Sequence, residues 1–261
     1  MKQDSEYLAG GKQTKVQFRA YAELNDFLRL DRRQIAFDYF YHGPVTIKEA
    51  IENQGIPHSS VELVLVNGEP VDFNFHLSEN NFISLYPVFE LLDISTLTKI
   101  RTGTLRNIRF IVDAHLGKLA KNLRIMGFDT LYRNNYADNQ IRLIGRLQER
   151  IILTKDKGLL MAKNVARGYY VRSVKAKEQT TEVVRKFDLY SKTDSLSRCL
   201  ICNRKLVEIS AAAIPGEILL NLAKGFDFFY KCRHCHKFFW KGSHYKNMAE
   251  SIQQYIQKKE N

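Results

Sequence analysis

Residues 108–132 read IRFIVDAHLGKLAKNLRIMGFDTLY, and this stretch decides the fold of the second half of the chain. A short apolar strand ends in the carboxylate of Asp113. Leucines then recur at helical spacing up to Met126, so an amphipathic helix is predicted to follow the strand. Gly127 stands where a helix C-cap is typical, and the next strand begins at Asp129. A strand–helix–strand unit of this length is the building block of a parallel α/β sheet.

The same alternation of strands and helices continues after this unit. A helix is predicted from Asn139, a strand at 150–154, a third helix from Asp156 and a fourth strand at 169–174. Elements that alternate at these lengths imply right-handed βαβ crossovers and a parallel sheet. We therefore expect a parallel-sheet α/β domain over residues 106–190.

Residues 14–93 follow a different pattern, with two strands, one helix and further strands. Thr46 and Glu49 have the spacing of a capping box at the start of the helix. A buried strand then runs into Asn67-Gly68, which is a strong hairpin signal, and residues 71–73 are predicted as the returning strand. A small mixed sheet with one crossing helix resembles the ubiquitin-like β-grasp fold.

The charge of the chain is unevenly distributed. The formal net charge is +12, yet residues 14–93 carry 6 Lys/Arg and 12 Asp/Glu, whereas residues 94–261 carry 32 and 14. A strongly basic unit favours a polyanionic partner, so RNA is expected to bind the second half; the alternative is a solvated basic surface. The acidic unit has no free Gly-Gly terminus of the kind that β-grasp carriers use, and we expect it to bind a protein partner.

Composition and length limit the function classes. The chain has 261 residues, 44% hydrophobic and 26% charged, which is ordinary for a soluble globular protein. It contains no run of about 18 uncharged apolar residues, as a transmembrane helix requires. Residues 1–15 are polar and lack the apolar core of a signal peptide. A cytoplasmic protein is therefore expected.

Three carboxylates share one local setting. Asp113, Asp138 and Asp156 each stand at a predicted helix start, and the first and last of them closely follow strands. Functional crevices of open α/β sheets form at the carboxyl ends of the strands. Carboxylates that converge there repel one another, and a hard cation such as Mg²⁺ or Mn²⁺ relieves the repulsion. The alternative for each aspartate is a simple helix N-cap.

All four cysteines lie in two C-x-x-C pairs. Cys199 and Cys202 form the first pair, Cys232 and Cys235 form the second, and 29 residues separate the pairs. In a reducing compartment this arrangement indicates one tetrahedral, structural Zn²⁺ per chain rather than disulfides. We expect a zinc ribbon over residues 195–247.

Several motifs together resemble a known family. Residues 110–129, ILTKDKGLL at 152–160 and WKGSHY at 240–245 are similar to motifs of the Mut-seven C-terminal ribonuclease family, a branch of the PIN-like nucleases. VLVNGEPVDF at 64–73 is similar to the ubiquitin-like domain often fused ahead of it. The resemblance implies a PIN-like fold and metal-dependent cleavage of RNA phosphodiester bonds. It implies that the catalytic residues and Mg²⁺/Mn²⁺ ligands are Asp113, Asp138 and Asp156, with Asp129 as a further candidate acid.

Basic and aromatic side chains complete the predicted site. Cations near the carboxylates can hold the phosphate backbone, and aromatic rings beside the second cysteine pair can stack on single-stranded bases. The candidate RNA contacts are Lys118, Lys121, Arg124, Lys155, Lys157, Trp240, Lys241, His244 and Tyr245. The alternative function is a non-catalytic RNA-binding or adaptor protein whose aspartates only cap helices.

Overall fold

The computed structural model of the chain describes residues 13–87, 97–100, 108–214, 216, 229–242, 245, 246 and 250. The chain divides into two units, residues 1–104 and residues 105–261. Within the described ranges, no helix has both the length and the apolar character that crossing a membrane requires.

Alternating burial builds a five-stranded mixed sheet in the first unit. Strand β1 buries Val16, Phe18 and Ala20 on one face and exposes or half-exposes the residues between them. The strand order is β2-β1-β5-β3-β4; β1 and β5 are parallel, and the other pairs are antiparallel. The strands are β1 (Gln13–Ala20), β2 (Phe37–His42), β3 (Leu63–Val66), β4 (Glu69–Pro70) and β5 (Phe82–Tyr86).

One helix, α1 (Ile47–Asn53), crosses this sheet, and the predicted capping box is present. The backbone N–H of Glu49 donates to the Thr46 hydroxyl at 3.3 Å, and Glu49 Oε2 accepts from the Thr46 N–H at 2.9 Å. The helix buries Ile47, Ala50 and Ile51. Mixed sheet and crossing helix together confirm the predicted ubiquitin-like β-grasp fold.

The hairpin after β3 turns where the sequence predicts. Asn67 and Gly68 both have positive φ, 52° and 89°, as a two-residue turn of this kind requires. The returning strand is β4 at Glu69–Pro70, so the prediction of a strand at 71–73 was wrong. A two-residue turn pairs Glu69 directly with Val66, and the ladder ends at Pro70, one pair later.

The second unit contains a four-stranded parallel sheet of order β7-β6-β8-β9, which confirms the predicted α/β class. Its strands are β6 (Phe110–Val112), β7 (Thr130–Leu131), β8 (Ile151–Thr154) and β9 (Gly168–Tyr170). Its helices are α2 (Gly117–Ile125), α3 (Asp138–Leu147), α4 (Lys157–Met161) and α5 (Ala176–Lys186). Helix α5 was not predicted, because much of its buried face is polar: Gln179, Thr180 and Thr181 are all buried.

Apolar side chains cover both faces of this sheet. On one face, Phe110 and Val112 pack with residues of α2 and α5, among them Leu119 and Val183. On the other face, Ile111 and Ile152 pack with residues of α3 and α4. The sheet is therefore a buried central layer, and its edges are the places where polar chemistry can reach solvent.

A three-stranded antiparallel sheet follows, with the order β10-β11-β12 among the described residues. Its strands are β10 (Leu206–Ile209), β11 (Phe229–Cys232) and β12 (Phe238–Trp240). The first cysteine pair lies before β10; in the second pair, Cys232 ends β11 and Cys235 lies in the turn between β11 and β12. This arrangement positions the four cysteines for the ribbon that the sequence predicts.

Candidate functional site

A threonine joins two of the predicted acidic residues. Asp113 directly follows β6 and is 8% exposed, and its Oδ2 accepts a hydrogen bond from Thr154 Oγ1 at 2.7 Å. Thr154 is the last residue of β8, the strand beside β6. Its hydroxyl oxygen also accepts from the backbone N–H of Asp156 at 2.9 Å. Asp113 and Asp156 therefore share one partner at the carboxyl edge of the sheet.

The capping alternative holds for one of the aspartates. Asp156 Oδ1 accepts from the backbone N–H of Gly158 at 2.7 Å, so this carboxylate caps α4. Asp113 precedes the 3-10 turn Ala114–Leu116 but makes no capping hydrogen bond with its side chain. Its burial against Thr154 is thus not explained by capping.

Asp138 is the first residue of α3, and Ala137 occupies the N-cap position. The helix runs from the carboxyl end of β7 back to the start of β8, so Asp138 lies at the same edge of the sheet as Asp113. Asp138 is exposed and makes no capping bond. Throughout the described ranges, the four cysteines are the only compact group of three or more ligand side chains, so Asp138 is not gathered with the other two carboxylates.

Asp129 lies at the opposite, amino edge of the sheet. Its carboxylate accepts hydrogen bonds from Arg150 Nη1 and Asn203 Nδ2, both at 2.7 Å, and lies 3.4 Å from Arg198 Nη2. Burial by itself raises the pKa of Asp129, but these donors and cations outweigh it and lower the pKa. Asp129 is a structural ion-pair centre, and we leave it out of the proposed catalytic set.

Two further side chains lie at the carboxyl edge and were not predicted from the sequence. One is Thr154, a polar residue that ends a buried strand just before Asp156. The other is His115, whose Nδ1 lies 3.6 Å from Asp113 Oδ1 and whose side chain is 84% exposed. Two features of the sequence could have indicated them. Thr154 is a polar residue at the end of a buried strand, two residues before Asp156, and His115 follows Asp113 by two residues.

Four of the predicted cations lie where RNA could reach them. Lys118 and Lys121 are exposed on α2, the helix that follows Asp113. Lys155 Nζ donates to the carbonyl of Arg172 at 3.3 Å, and Lys157 is exposed with its Nζ 5.8 Å from the centre of the Tyr170 ring. All four remain candidates for phosphate contacts.

Arg124 does not belong with them. Its side chain is only 4% exposed, and its guanidinium donates to the carbonyls of Thr130, Leu200 and Ile201 at 2.9–3.0 Å. Burial lowers the pKa of Arg124, while the nearby Cys199, Cys202 and Asp129 oppose that shift. This prediction needs correction, because three backbone carbonyls of the protein occupy the guanidinium and leave it no access to a phosphate.

The first cysteine pair is docked on the α/β domain around Arg124. Backbone N–H groups of Asp194 and Leu196 donate to carbonyls at the end of α2, at 3.0 Å each. Asn203 Oδ1 accepts from the N–H of Thr130, the first residue of β7, at 2.9 Å. Gly127 has φ 94°, as predicted for a C-cap, and a side chain there would collide with the Asp194 carbonyl. The segment is therefore part of this domain's packing.

The aromatic candidates follow the second cysteine pair in the sequence. Trp240 ends β12 and is half-buried, Lys241 is exposed and Tyr245 is half-buried. His244 lies outside the described residues. Trp240 pairs with Phe229, at the opposite end of β11 from Cys232.

The four cysteines form a site of the size that Zn²⁺ requires. All are free thiols, their sulfur atoms lie within 4.8 Å of one another, and the cross-pair distances are 3.5 Å for Cys199–Cys235 and 3.4 Å for Cys202–Cys232. A tetrahedron with Zn–S bonds of about 2.3 Å separates its sulfurs by about 3.8 Å. The donor set and the spacing both fit this metal.

Both cysteine pairs use the same backbone turn. In the first pair, Cys199 N donates to the Arg204 carbonyl and Asn203 N donates to the Cys199 carbonyl. In the second pair, Cys232 N donates to the Lys237 carbonyl and His236 N donates to the Cys232 carbonyl. Asn203 and His236 have positive φ, 67° and 59°. The repeated turn presents two sulfurs from each pair to one point, and the exposed His234 and His236 lie outside the sulfur cluster.

The thiols differ in their acidity. Burial raises the pKa of Cys199 to about 12 and also raises that of Cys202. Burial acts in the same direction on Cys232, but backbone N–H groups of Cys235 and His234 outweigh it and lower the pKa to about 7. Cys232 is therefore more readily converted than Cys199 or Cys202 to the thiolate that a metal binds.

Comparison with known protein families matches residues 108–252 to a family described as the Mut7-C RNAse domain. Residues 13–93 match a second family, described as Mut7-C ubiquitin. No curated protein and no solved structure gives a match.

Proposed function

Since the chain belongs to the Mut7-C RNAse domain family, we propose that it hydrolyses RNA phosphodiester bonds with the help of Mg²⁺ or Mn²⁺. The family match confirms the resemblance seen in the sequence and supports a nuclease function. Asp113 and Asp156 are the proposed metal-holding carboxylates, and Asp138, which begins α3 at the same edge of the sheet, is proposed as a further catalytic carboxylate. The basic charge of residues 94–261 supports RNA as the substrate.

The observation that carries the proposal is that Thr154 Oγ1 donates to the carboxylate of Asp113 and accepts from the backbone N–H of Asp156. Mg²⁺ in enzymes is commonly held by one or two carboxylates, water and the phosphates of the substrate. Asp113 and Asp156 follow neighbouring strands at one edge of the sheet, so they can supply the one or two carboxylates of such a site. When bound, such an ion supplies a Lewis acid for the phosphate and lowers the pKa of a water molecule.

The side chains of the protein have separate tasks in this proposal. The Thr154 hydroxyl fixes the orientation of the Asp113 carboxylate by donating to its Oδ2. Lys155 and Lys157 flank Asp156 and attract the phosphate backbone, as do the exposed Lys118 and Lys121 further along α2. Attack by water on phosphorus, with cleavage of the bond from phosphorus to the 3′-oxygen and protonation of that oxygen, would leave a 5′-phosphate and a 3′-hydroxyl.

A non-catalytic RNA-binding protein is the second candidate, and the capping of α4 by Asp156 favours it. Product analysis separates the two. The purified full chain should cut mixed single-stranded RNA when Mn²⁺ or Mg²⁺ is added and should leave it intact when both are omitted. Zinc content is measured in both samples, so that loss of the ribbon metal is not mistaken for loss of the catalytic one. RNA that is bound but uncut with either ion would support the adaptor function.

We also propose that the four cysteines hold one structural Zn²⁺. Four thiolates around Zn²⁺ leave two excess negative charges, and the buried Arg124 close to Cys199 and Cys202 offsets part of them. The docked first pair makes the metal a support of the α/β domain as well as of the ribbon. The aromatic and basic residues that follow the second cysteine pair in the sequence, including Trp240, Lys241 and Tyr245, remain proposed RNA contacts.

Elemental analysis should find one Zn²⁺ per chain, and Cys232→Ser should lower that content strongly because a tetrahedral site loses one of its four ligands. The control is His234→Ser, which changes an exposed neighbour in the same turn and should leave the zinc content unchanged. A Cys232→Ser protein with full zinc content would contradict the assignment.

The chain is proposed to contain three domains. We propose a β-grasp domain over 14–93, a PIN-like nuclease domain over 106–190 and a zinc ribbon over 195–247. The acidic charge of the first domain supports a protein rather than RNA as its partner. The proposed location is the cytoplasm, where unpaired cysteines stay reduced.

A further inference from the structure

The loop between β9 and α5, residues 171–175, is held from inside by two side chains of α5. Glu182 accepts from the backbone N–H of Arg172 through Oε1 and from that of Ser173 through Oε2, both at 2.8 Å. Gln179 is 6% exposed and donates to the carbonyls of Ser173 and Val174 at 3.1 and 3.0 Å. The loop is therefore ordered before any partner arrives, and it loses little conformational freedom on binding.

This loop adjoins the proposed catalytic carboxylates. Tyr170, which precedes it, pairs in register with Thr154, the residue that hydrogen bonds with Asp113 and Asp156. Lys155 Nζ donates to the carbonyl of Arg172, which ties the start of the loop to the end of β8. A strand of RNA bound at the carboxylates could therefore extend over this loop.

The loop presents an aliphatic side chain among cations. Val174 is 81% exposed, although the Gln179 side chain donates to its backbone carbonyl. Lys175 beside it is also 81% exposed and lies 3.8 Å from Glu178. Lys157 and the guanidinium of Arg172 lie 5.8 and 5.9 Å from the centre of the Tyr170 ring. One exposed apolar side chain with several cations has the character of a nucleic-acid surface, which meets phosphates and base faces together.

We propose that the loop at 171–175 is a contact surface for single-stranded RNA, in which Val174 packs against an unpaired base and Lys175 contacts a phosphate. The proposal rests on the proposed function, since this RNA is the substrate of the neighbouring carboxylates. Single-stranded RNA is specified because paired bases in an A-form helix do not offer their faces to a side chain. The net positive charge of this half of the chain favours RNA over an ordinary protein partner.

The test measures binding of a labelled single-stranded RNA to the full chain without Mg²⁺ or Mn²⁺, over a range of salt concentrations. Val174→Ser should weaken binding about three- to fivefold and leave the salt dependence unchanged, because it removes apolar contact only. Lys175→Gln should reduce the slope of log affinity against log salt by about 0.7, the value for one phosphate contact on a single strand. A structural role in folding would produce neither of these separate signatures.

The matched control is Leu147→Ser. Leu147 is 71% exposed and is the last residue of α3, at the end of the helix that leads back to the amino edge of the sheet, so its replacement should leave RNA affinity unchanged. A parent chain that binds and cuts RNA, with both loop variants binding like the parent, would overturn this inference but leave the proposed function standing. A parent chain that neither binds nor cuts RNA would overturn the proposed function itself.

Discussion

Asp113→Asn should reduce the rate of RNA cleavage at least about a hundredfold while leaving RNA binding close to that of the parent. The change keeps the size of the side chain and an acceptor for Thr154, but it removes the charge that would hold a cation. Mutation of residues that merely orient metal ligands already lowers metal affinity or activity about 10- to 100-fold. Loss of a ligand's charge should lower activity by at least as much. The measurement is a single-turnover cleavage rate with saturating protein and Mn²⁺.

The control for this variant is Asp194→Asn. It makes the same chemical change at an exposed residue beside the end of α2, away from the carboxyl edge. Its cleavage rate should equal that of the parent. If Asp113→Asn also cleaved at the parent rate, Asp113 could not be the carboxylate that holds the catalytic ion.

Asp113 and Asp156 could be predicted from the sequence as site residues, but their shared hydrogen-bond partner Thr154 could not. Asp113 and Asp156 each follow a strand, and strands that alternate with helices bring such residues to one edge. The spacing cannot show that β6 and β8 are neighbours, so it cannot show which side chain joins the acids. It also cannot separate a cap from a ligand: Asp156 caps α4, and Asp113 does not cap the turn that follows it.

The fold itself could be predicted further than the site, because apolar periodicity is a strong signal where it occurs. The β-grasp sheet, its capping box and the first helices of the α/β domain all follow from such patterns. Helix α5 escaped prediction because hydrogen bonds, rather than apolar contacts, satisfy part of its buried face. Asn122 of α2 donates to Thr180 at 2.9 Å, and Gln179 holds the loop before the helix.

Arg124 was assigned to RNA for a similar reason. It stands three residues after Lys121 and six after Lys118, which are exposed, and spacing alone suggests one basic face. Its partners Leu200 and Ile201 lie more than 70 residues away in the chain. A contact of that separation leaves no signal in the local pattern, so a structural arginine and a binding arginine look alike in the sequence.

Arg124→Met should lower the free energy of unfolding of the second unit by about 3–5 kcal/mol. The change keeps an unbranched side chain of similar length but leaves the buried Thr130 carbonyl and the part-buried carbonyls of Leu200 and Ile201 without their donor. Trp240 is the only tryptophan of the chain and lies in β12, so its fluorescence during urea unfolding reports on the ribbon sheet. The control is Lys121→Met on the exposed face of α2, which should change stability by no more than about 0.5 kcal/mol.

Trp240 fluorescence in the Arg124→Met variant also tests whether the zinc ribbon and the α/β domain unfold together. Arg124 belongs to α2 of the α/β domain, whereas Trp240 reports on the ribbon, and the carbonyls of the first cysteine pair join the two regions. If they unfold as one cooperative unit, Arg124→Met and removal of zinc should each shift the Trp240 transition to lower urea, in the same direction as a probe in the parallel sheet. An unshifted Trp240 transition in Arg124→Met, with the α/β domain destabilised, would instead show that the ribbon unfolds independently. The buried arginine would then support only the sheet against which the first cysteine pair is docked.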